Sequence, residues 1–220
     1  MLISSKSHVT NQIKHGFLVI DKPGGITSHD VVAKARKDLN TRKIGHAGTL
    51  DPMATGVLVL GVGDGTRLLQ YITAGVKKYD ATVRLGQLTS TDDKEGEVIK
   101  ETEIPEDIAA TFSKQTGKIM QKPSKVSAIR IDGKRAYDLV REGIEVDIPP
   151  REVEIYELKI NAIRNQEVDI SVTCSAGTYI RAIARDCGGH LTALRRTQVG
   201  IFDLSMAGTL LNISDIASKL

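Results

Sequence analysis

One acid in this chain is framed for chemistry. Asp51 stands in the run His46-Ala47-Gly48-Thr49-Leu50-Asp51-Pro52-Met53-Ala54-Thr55-Gly56-Val57-Leu58, between a glycine-bearing turn and an apolar stretch. Gly48 and Gly56 allow positive φ or a close approach to a ligand. Pro52 has no N–H and biases Asp51 toward an extended conformation. The result is a carboxylate in a fixed, non-helical pose, and a carboxylate can attack covalently or take a proton. Asp-Pro beside glycine is also ordinary turn chemistry, so the stretch needs partners elsewhere. Tyr79 is one candidate. It shares a face with Ala81, Val83 and Leu85 in an alternating run, as a core aromatic or as a rim platform whose ring stacks on a base. Arg181 is another. It falls in the first turn of an expected helix from Tyr179 to Cys187, where a cation opposes the helix dipole. That placement makes sense if its guanidinium reaches a carboxylate elsewhere.

Several elements have to position these groups. Phe17-Leu18-Val19-Ile20 is a short apolar run that ends in the turn Asp21-Lys22-Pro23-Gly24-Gly25. Thr27 or Ser28 then caps a helix to about Leu39, burying Val31, Val32, Ala35 and Leu39. Lys34, Arg36, Lys37, Arg42 and Lys43 make a basic surface leading into the Asp51 loop. Val57 to Leu60 reads as a buried strand, Gly61 to Gly65 as a turn, and Thr66 caps a short helix ending at Gly75. A dinucleotide fingerprint does not fit here, because the third glycine comes one residue early and the helix is short. Gly86 to Gly96 is a loop whose Asp92 and Asp93 lack further ligands for an ion. Val98 and Ile99 begin a short strand. Pro105 to Thr116 reads as a helix with Ile108, Ala109 and Phe112 inward. Val153–Ile163 and Val168–Cys174 read as strands, Ile201–Leu210 as a last strand and turn, and a short helix follows from about Ser214.

Two stretches carry clustered cations. Residues 121–152 form a basic excursion: its first part, 121–135, sets Lys122, Lys125, Arg130, Lys134 and Arg135 against the lone acid Asp132, and a short helical stretch from Ala136 to Glu142 and then Pro149-Pro150 follow. Breakers at both ends suit an arm that grips RNA. Arg195 and Arg196 sit beside the apolar Leu194 and also suit a phosphate-bearing partner.

The totals set bounds. A chain of 220 residues, 40% hydrophobic and 26% charged, suits one α+β domain, with residues 1–15 a loose arm and 16–220 the body. A net charge of +3 permits a polyanionic partner if the charge is clustered. Cys174 and Cys187 make neither a disulfide framework nor a metal cluster, and His8 and His15 lack a third ligand. With no signal peptide and no long apolar run, the expected location is the cytoplasm.

The motifs resemble those of a known family in family order across about residues 16–205. The Gly45–Leu58 run resembles the catalytic motif of the TruB-type tRNA pseudouridine synthases. Gly16 to Pro23 with Thr27-Ser28 is similar to the family's N-terminal motif, and Lys78-Tyr79 with Arg84-Leu85-Gly86 to its tyrosine motif. Gln121-Lys122-Pro123, Ser127-Ala128, Gly133 and Arg135-Ala136-Tyr137 resemble its RNA-contacting insertion. Gly177-Thr178-Tyr179-Ile180-Arg181 and Leu194-Arg195-Arg196-Thr197 complete the set.

The resemblance implies a mixed, mainly antiparallel sheet flanked by helices and loops. It implies isomerisation of a uridine in the TΨC loop of tRNA, position 55, with no cofactor and no metal. By the same resemblance Asp51 attacks C1′ or takes a sugar proton. Tyr79 stacks on the flipped base, and Arg181 pairs with Asp51 and orients it. Tyr179 and Leu194 line the pocket, and His46 packs against the RNA loop. Phosphates would meet Lys22, Lys122, Lys125, Arg130, Lys134, Arg135, Arg195 and Arg196. Relatives often carry a C-terminal RNA-binding domain that is not apparent here, and Ser124 and Arg130 stand where the family more often has Pro and Lys. A monomer acting alone is the expectation. The alternatives are a catalytic subunit of a guide-RNA particle and a non-catalytic tRNA-binding or folding protein.

Overall fold

The computed structural model describes residues 15–127, 130–131, 133–136, 139, 142, 144 and 146–209. Most of them build one mixed sheet of ten strands. In chain order the strands are β1 (Gly16–Lys22), β2 (Ile44–His46), β3 (Thr55–Val62), β4 (Lys77–Leu85), β5 (Gln87–Thr89), β6 (Val98–Glu101), β7 (Gly117–Gln121), β8 (Arg130–Ile131), β9 (Lys134–Arg135), β10 (Arg151–Arg164), β11 (Glu167–Cys174), β12 (Gly189–Val199), β13 (Phe202–Asp203) and β14 (Gly208–Thr209). The sheet runs β14-β1-β3-β12-β4-β11-β10-β7, with β2 added to β3 and β13 to β12. Only the β1–β14 and β12–β3 pairs are parallel. The β5–β6 and β8–β9 ribbons stand outside it. The mixed, mainly antiparallel sheet of the α+β expectation is therefore present.

Residue alternation explains which strands can sit where. Leu18, Ile20, Leu58 and Leu60 join a large core with Val31, Val32 and Ala35 of helix α1 (Ser28–Asp38), Phe112 of α3 (Ile108–Ser113), and Ile180 and Ile183 of α4 (Ile180–Asp186). Val19, Val57 and Val59 point the other way, into a smaller cluster with Leu69 and Ile72 of α2 (Leu69–Thr73). Strands β1 and β3 are covered on both faces, so they read as unbroken apolar runs. At Gly56 (φ +100°) a Cβ would drive into the Arg196 backbone, which β3 meets in register. Only glycine lets β3 and β12 approach there.

The local signals resolve in detail. Thr27 caps α1 and forms a capping box with Asp30. The expected helix over 105–116 is only six residues long, capped by Asp107, with Ile108 and Phe112 inward and Ala109 exposed. Strands β2, β5, β7, β8, β9 and β12 have no counterpart in the sequence reading, although β12 lies between β3 and β4 in the sheet. The expected helix after Ser214 and the arm before His15 lie outside the described residues, as does most of the expected helical stretch 136–142.

Candidate active site

The loop carrying Asp51 is pinned on both sides of the acid. Ser28, buried at the start of α1, donates its hydroxyl to Leu50 O (3.1 Å) and accepts from Leu50 N–H (2.9 Å). A single hydroxyl thus satisfies both backbone groups of the residue before Asp51. After it, Pro52 O accepts from Gly25 N–H at 2.9 Å and from Lys22 Nζ at 3.2 Å. Asp51 O accepts from Ala54 N–H at 3.1 Å, closing the turn. Arg196 lies beneath, 1% exposed, donating to Val57 O (2.8 Å), Gly48 O (3.1 Å) and Thr49 O (3.4 Å).

The partner expected for Arg181 is Asp51. Arg181 Nε lies 2.9 Å from Oδ2, and Nη2 donates to Oδ1 at 3.1 Å. The Nε proton is off the line to Oδ2, so that contact is ionic rather than a second hydrogen bond. Arg181 is 4% exposed and Asp51 31%. The cation is therefore fixed while the carboxylate keeps a face toward solvent. Arg181 also donates to Thr91 O (2.8 Å), Ser124 Oγ (3.2 Å) and Val126 O (2.8 Å), and faces Asp93 at 3.7 Å. Its position in the first turn of α4 thus joins three loops.

Tyr79 is 7% exposed on β4, opposite Arg196 of β12. Burial pushes its phenol above the usual range, and the nearby Arg196 guanidinium only partly opposes this. Leu194, also on β12, pairs with Ala81. Asp51, Tyr79, Tyr179, Arg181 and Leu194 all line one cleft of 910 Å³. Tyr79 belongs to the core and also lines the cleft. Tyr179 precedes α4, where its N–H donates to Gln121 Oε1 (2.8 Å) and its C=O accepts from Gln121 Nε2 (3.1 Å).

The remaining expected site residues divide. His46 ends β2 and does not line the cleft; its ring meets the cleft-lining His29 edge-on, with centroids 5.5 Å apart. Lys22 and Arg196 are corrections. Both are buried, and their donors serve backbone carbonyls: Pro23, Ile26 and Pro52 for Lys22, and Gly48, Thr49 and Val57 for Arg196. Neither can reach a phosphate, because each holds the Asp51 loop instead. Arg195 is 40% exposed at its side chain and chelates Asp21 at 2.7 and 3.1 Å. Lys122 is exposed and pairs with Asp147 at 2.6 Å, and Lys125 is exposed. Arg130, Lys134 and Arg135 lie on the β8–β9 ribbon, and their side chains are outside what is described.

The sequence reading missed several contributors. Lys77 lines the cleft with its ammonium on Thr73 O (2.7 Å) and Gly75 O (3.0 Å). Burial pulls the Lys77 and Lys22 ammonium groups down to about 8. Asp93 accepts from Thr91 Oγ1 (2.6 Å) and Glu95 N–H (3.0 Å), and Asp92 pairs with Arg185 at 3.2 Å. The two acids therefore brace loops rather than gather an ion. No group of three or more metal-ligating side chains occurs among the described residues. No described helix is long and apolar enough to cross a membrane. The only signal for Asp92 and Asp93 was polar side chains in a loop, which does not distinguish bracing from solvation, and Lys77 stood at the start of an alternating strand with nothing to mark it.

The geometry is a carboxylate aimed into a cleft, locked to a buried arginine and faced by a buried tyrosine. Comparison with known proteins bears on what such a site does. Residues 36–180 match the N-terminal domain of the TruB family pseudouridylate synthases, a span that includes His46, Asp51, Tyr79 and Tyr179 and stops one residue before Arg181. The chain is 54% identical to tRNA pseudouridine synthase B of Corynebacterium glutamicum (strain R), over 92% of this chain and 73% of that protein. It is 52% identical to tRNA pseudouridine synthase B of Rhodococcus jostii (strain RHA1), over 91% and 70%. Among solved structures, an H/ACA RNP bound to a substrate RNA containing 2′-deoxyuridine aligns with a TM-score of 0.67 and 30% identity, over 91% of this chain and 52% of that chain. This chain thus spans about half the length of that structure. The shared sequence covers the acid, the tyrosine and the loops that hold them, and on that ground the chain belongs to the TruB family of pseudouridylate synthases, enzymes that isomerise uridine.

Proposed function

We propose that this chain converts uridine to pseudouridine in tRNA, at position 55 of the TΨC loop, acting as a cytoplasmic monomer without guide RNA or cofactor. The observation that carries the reading is the Asp51–Arg181 pair, facing the cleft that Tyr79 also lines. Pseudouridine formation breaks the N1–C1′ bond, turns the uracil and rejoins it through C5. Asp51 is the group that attacks C1′ or removes a sugar proton. Arg181 fixes both carboxylate oxygens, so the acid enters the reaction already oriented. The target base must leave its stack to reach Asp51, and Tyr79 supplies the surface it stacks on. With its phenol pushed up by burial, Tyr79 is a protonated donor at neutral pH. Leu194 and Tyr179 complete the apolar wall.

The 121–152 segment is the RNA-contacting insertion in this reading, with Lys122, Lys125, Arg130, Lys134 and Arg135 against phosphates and Arg195 beside them. His46 supports the RNA loop from behind His29. The higher identity to the synthases that bear the tRNA name, over more of their length, supports a tRNA substrate over a role in a guide-RNA particle. The test uses the purified protein alone with unmodified tRNA, and maps pseudouridine by chemical labelling and primer extension. Modification at position 55 without guide RNA is expected. Product only with added guide RNA would move the assignment to the particle reading. Tight binding with no product would move it to a non-catalytic tRNA-binding role.

A further inference from the structure

Four Lys or Arg side chains line the cleft among the described residues: Lys77, Arg151, Arg181 and Arg196. Three are committed to the protein. Arg181 donates from Nη1 and Nη2 to Asp51, Thr91, Ser124 and Val126, and its Nε is held in ionic contact with Asp51. Arg196 serves three backbone carbonyls, and Lys77 serves two. Arg151 differs. Its guanidinium lies over the Tyr179 ring, 5.2 Å from the centroid, and Nη2 donates to Gly177 O. Its Nε is buried without a hydrogen-bond partner. The place is shaped for it: Gly177 has φ +85°, and a Cβ there would come within 3.3 Å of Nη2. An arginine held over an aromatic ring and hydrogen-bonded to a backbone carbonyl loses little freedom when it meets a planar or tetrahedral oxyanion. Arg151 also opens β10, directly after the 121–150 stretch, and pairs in register with Gln121, where that stretch leaves the sheet.

We propose that Arg151 binds the phosphodiester flanking the target uridine and draws that nucleotide into the cleft; this rests on the proposed RNA-modifying function and deepens it. Tyr179 and Gly177 act as its cradle. The site takes a backbone phosphate, and because phosphate contacts position without reading sequence, it sets the depth of the nucleotide rather than its identity.

A charge-removal cycle tests this, using Arg151→Gln and an unmodified tRNA stem-loop that carries a neutral methylphosphonate at the linkage on one side or the other of the target uridine. On normal RNA, Arg151→Gln is expected to weaken binding about 10-fold. It should also flatten the slope of log K against log salt by about 0.7–0.9, the signature of one lost phosphate contact. With the methylphosphonate at the contacted linkage the substitution should have no further effect. KM should rise while kcat holds. Arg151→Lys keeps the charge but not the planar fork, so it should retain the slope and recover only part of the affinity. Multiplying effects of the two changes at both linkages, or an unchanged salt slope with a fall in kcat, would overturn the proposal and leave Arg151 as a residue that merely positions Tyr179. If Arg151→Gln does not fold, the Arg151→Lys variant with the methylphosphonate RNAs carries the same decision. Wild-type protein that binds the RNA without modifying it would refute the proposed activity while leaving the phosphate cycle readable. Wild-type protein that does not bind would refute both.

Discussion

Asp51 and Arg181 lie 130 positions apart and meet through contacts of 2.9 and 3.1 Å, with the arginine buried and the acid still open to the cleft. The asymmetry matters. A buried cation that cannot move gives the carboxylate a direction, and the exposed side of the acid leaves room for a sugar to approach. Asp51→Asn keeps the shape and removes the charge. Turnover is expected to fall by at least about a thousandfold, with tRNA affinity largely retained. Single-turnover assays beside filter binding read the two effects separately, and retained turnover would refute the assignment.

Arg181→Met removes the orienting cation and also the links to Thr91, Ser124 and Val126, and it leaves Asp93 facing no charge at that position. A loss of roughly 3–5 kcal/mol of stability is expected, because the buried Asp93 carboxylate is left without its cation. The remaining folded protein should bind tRNA and turn over slowly. Arg181→Lys should not rescue the rate, because an ammonium cannot reach four partners in one plane. Denaturant melts and single-turnover rates on the same samples decide this.

Arg196→Met should behave unlike the loss of a phosphate contact. Three carbonyls, one buried and two part-buried, lose their donor, which costs about 2–3 kcal/mol, and the Asp51 loop loosens. The salt dependence of tRNA binding should stay that of the wild type. Lys125→Gln, on the exposed arm, should flatten it. A shallower salt slope for Arg196→Met would contradict its burial.

Ser28→Ala leaves both Leu50 backbone groups without a partner in a buried place. Stability should drop by about 2 kcal/mol, and kcat should fall more than binding does, since the residue next to Asp51 is what moves. Ser28→Thr keeps the hydroxyl and should recover much of the rate if the buried space admits its methyl.

Lys22 offers a pH test. Its folded-state pKa is pulled from 10.5 down to about 8, chiefly by burial, with Asp51 opposing. Between those values the unfolded chain binds a proton that the folded protein has shed, so unfolding takes up a proton and raising the pH favours the fold. Below about 8 both states carry the charge and the contribution is constant. The melting temperature of the wild type relative to Lys22→Met should therefore climb from pH 8 to pH 10.5 and stay flat from pH 6 to pH 8. A difference that falls across the upper window would show that the ammonium form is the one the fold prefers.

Much of the fold was legible because the local physics was unopposed. Thr27 could cap α1, Gly188 (φ +85°) could close α4, and the alternation of Lys77 to Leu85 matched a strand with one buried face. Strand β12 was not legible, for a physical reason. Its register slips at Leu191/Ala193 and again at Arg196/Gln198, so two bulges break the period of two that marks a strand. His190 and Arg196 are also buried within it, so polarity pointed the wrong way.

From the amino-acid order alone came the candidate acid, its non-helical place before Pro52, the tyrosine on its strand and the misplaced cation at the start of α4. Those follow from local backbone preference and from a charge that its own helix does not want. Where each cation goes was decided only by the tertiary structure. Lys22, Arg195 and Arg196 have the same charge, yet Lys22 and Arg196 are sealed against carbonyls beneath the Asp51 loop, while Arg195, next to Arg196 in sequence, turns to Asp21 at the surface. Burial depends on which strands meet, and strands that meet can be more than a hundred residues apart. That distance is why the supports of the Asp51 loop, and Arg151 on its cradle of Gly177 and Tyr179, emerged only from the folded chain.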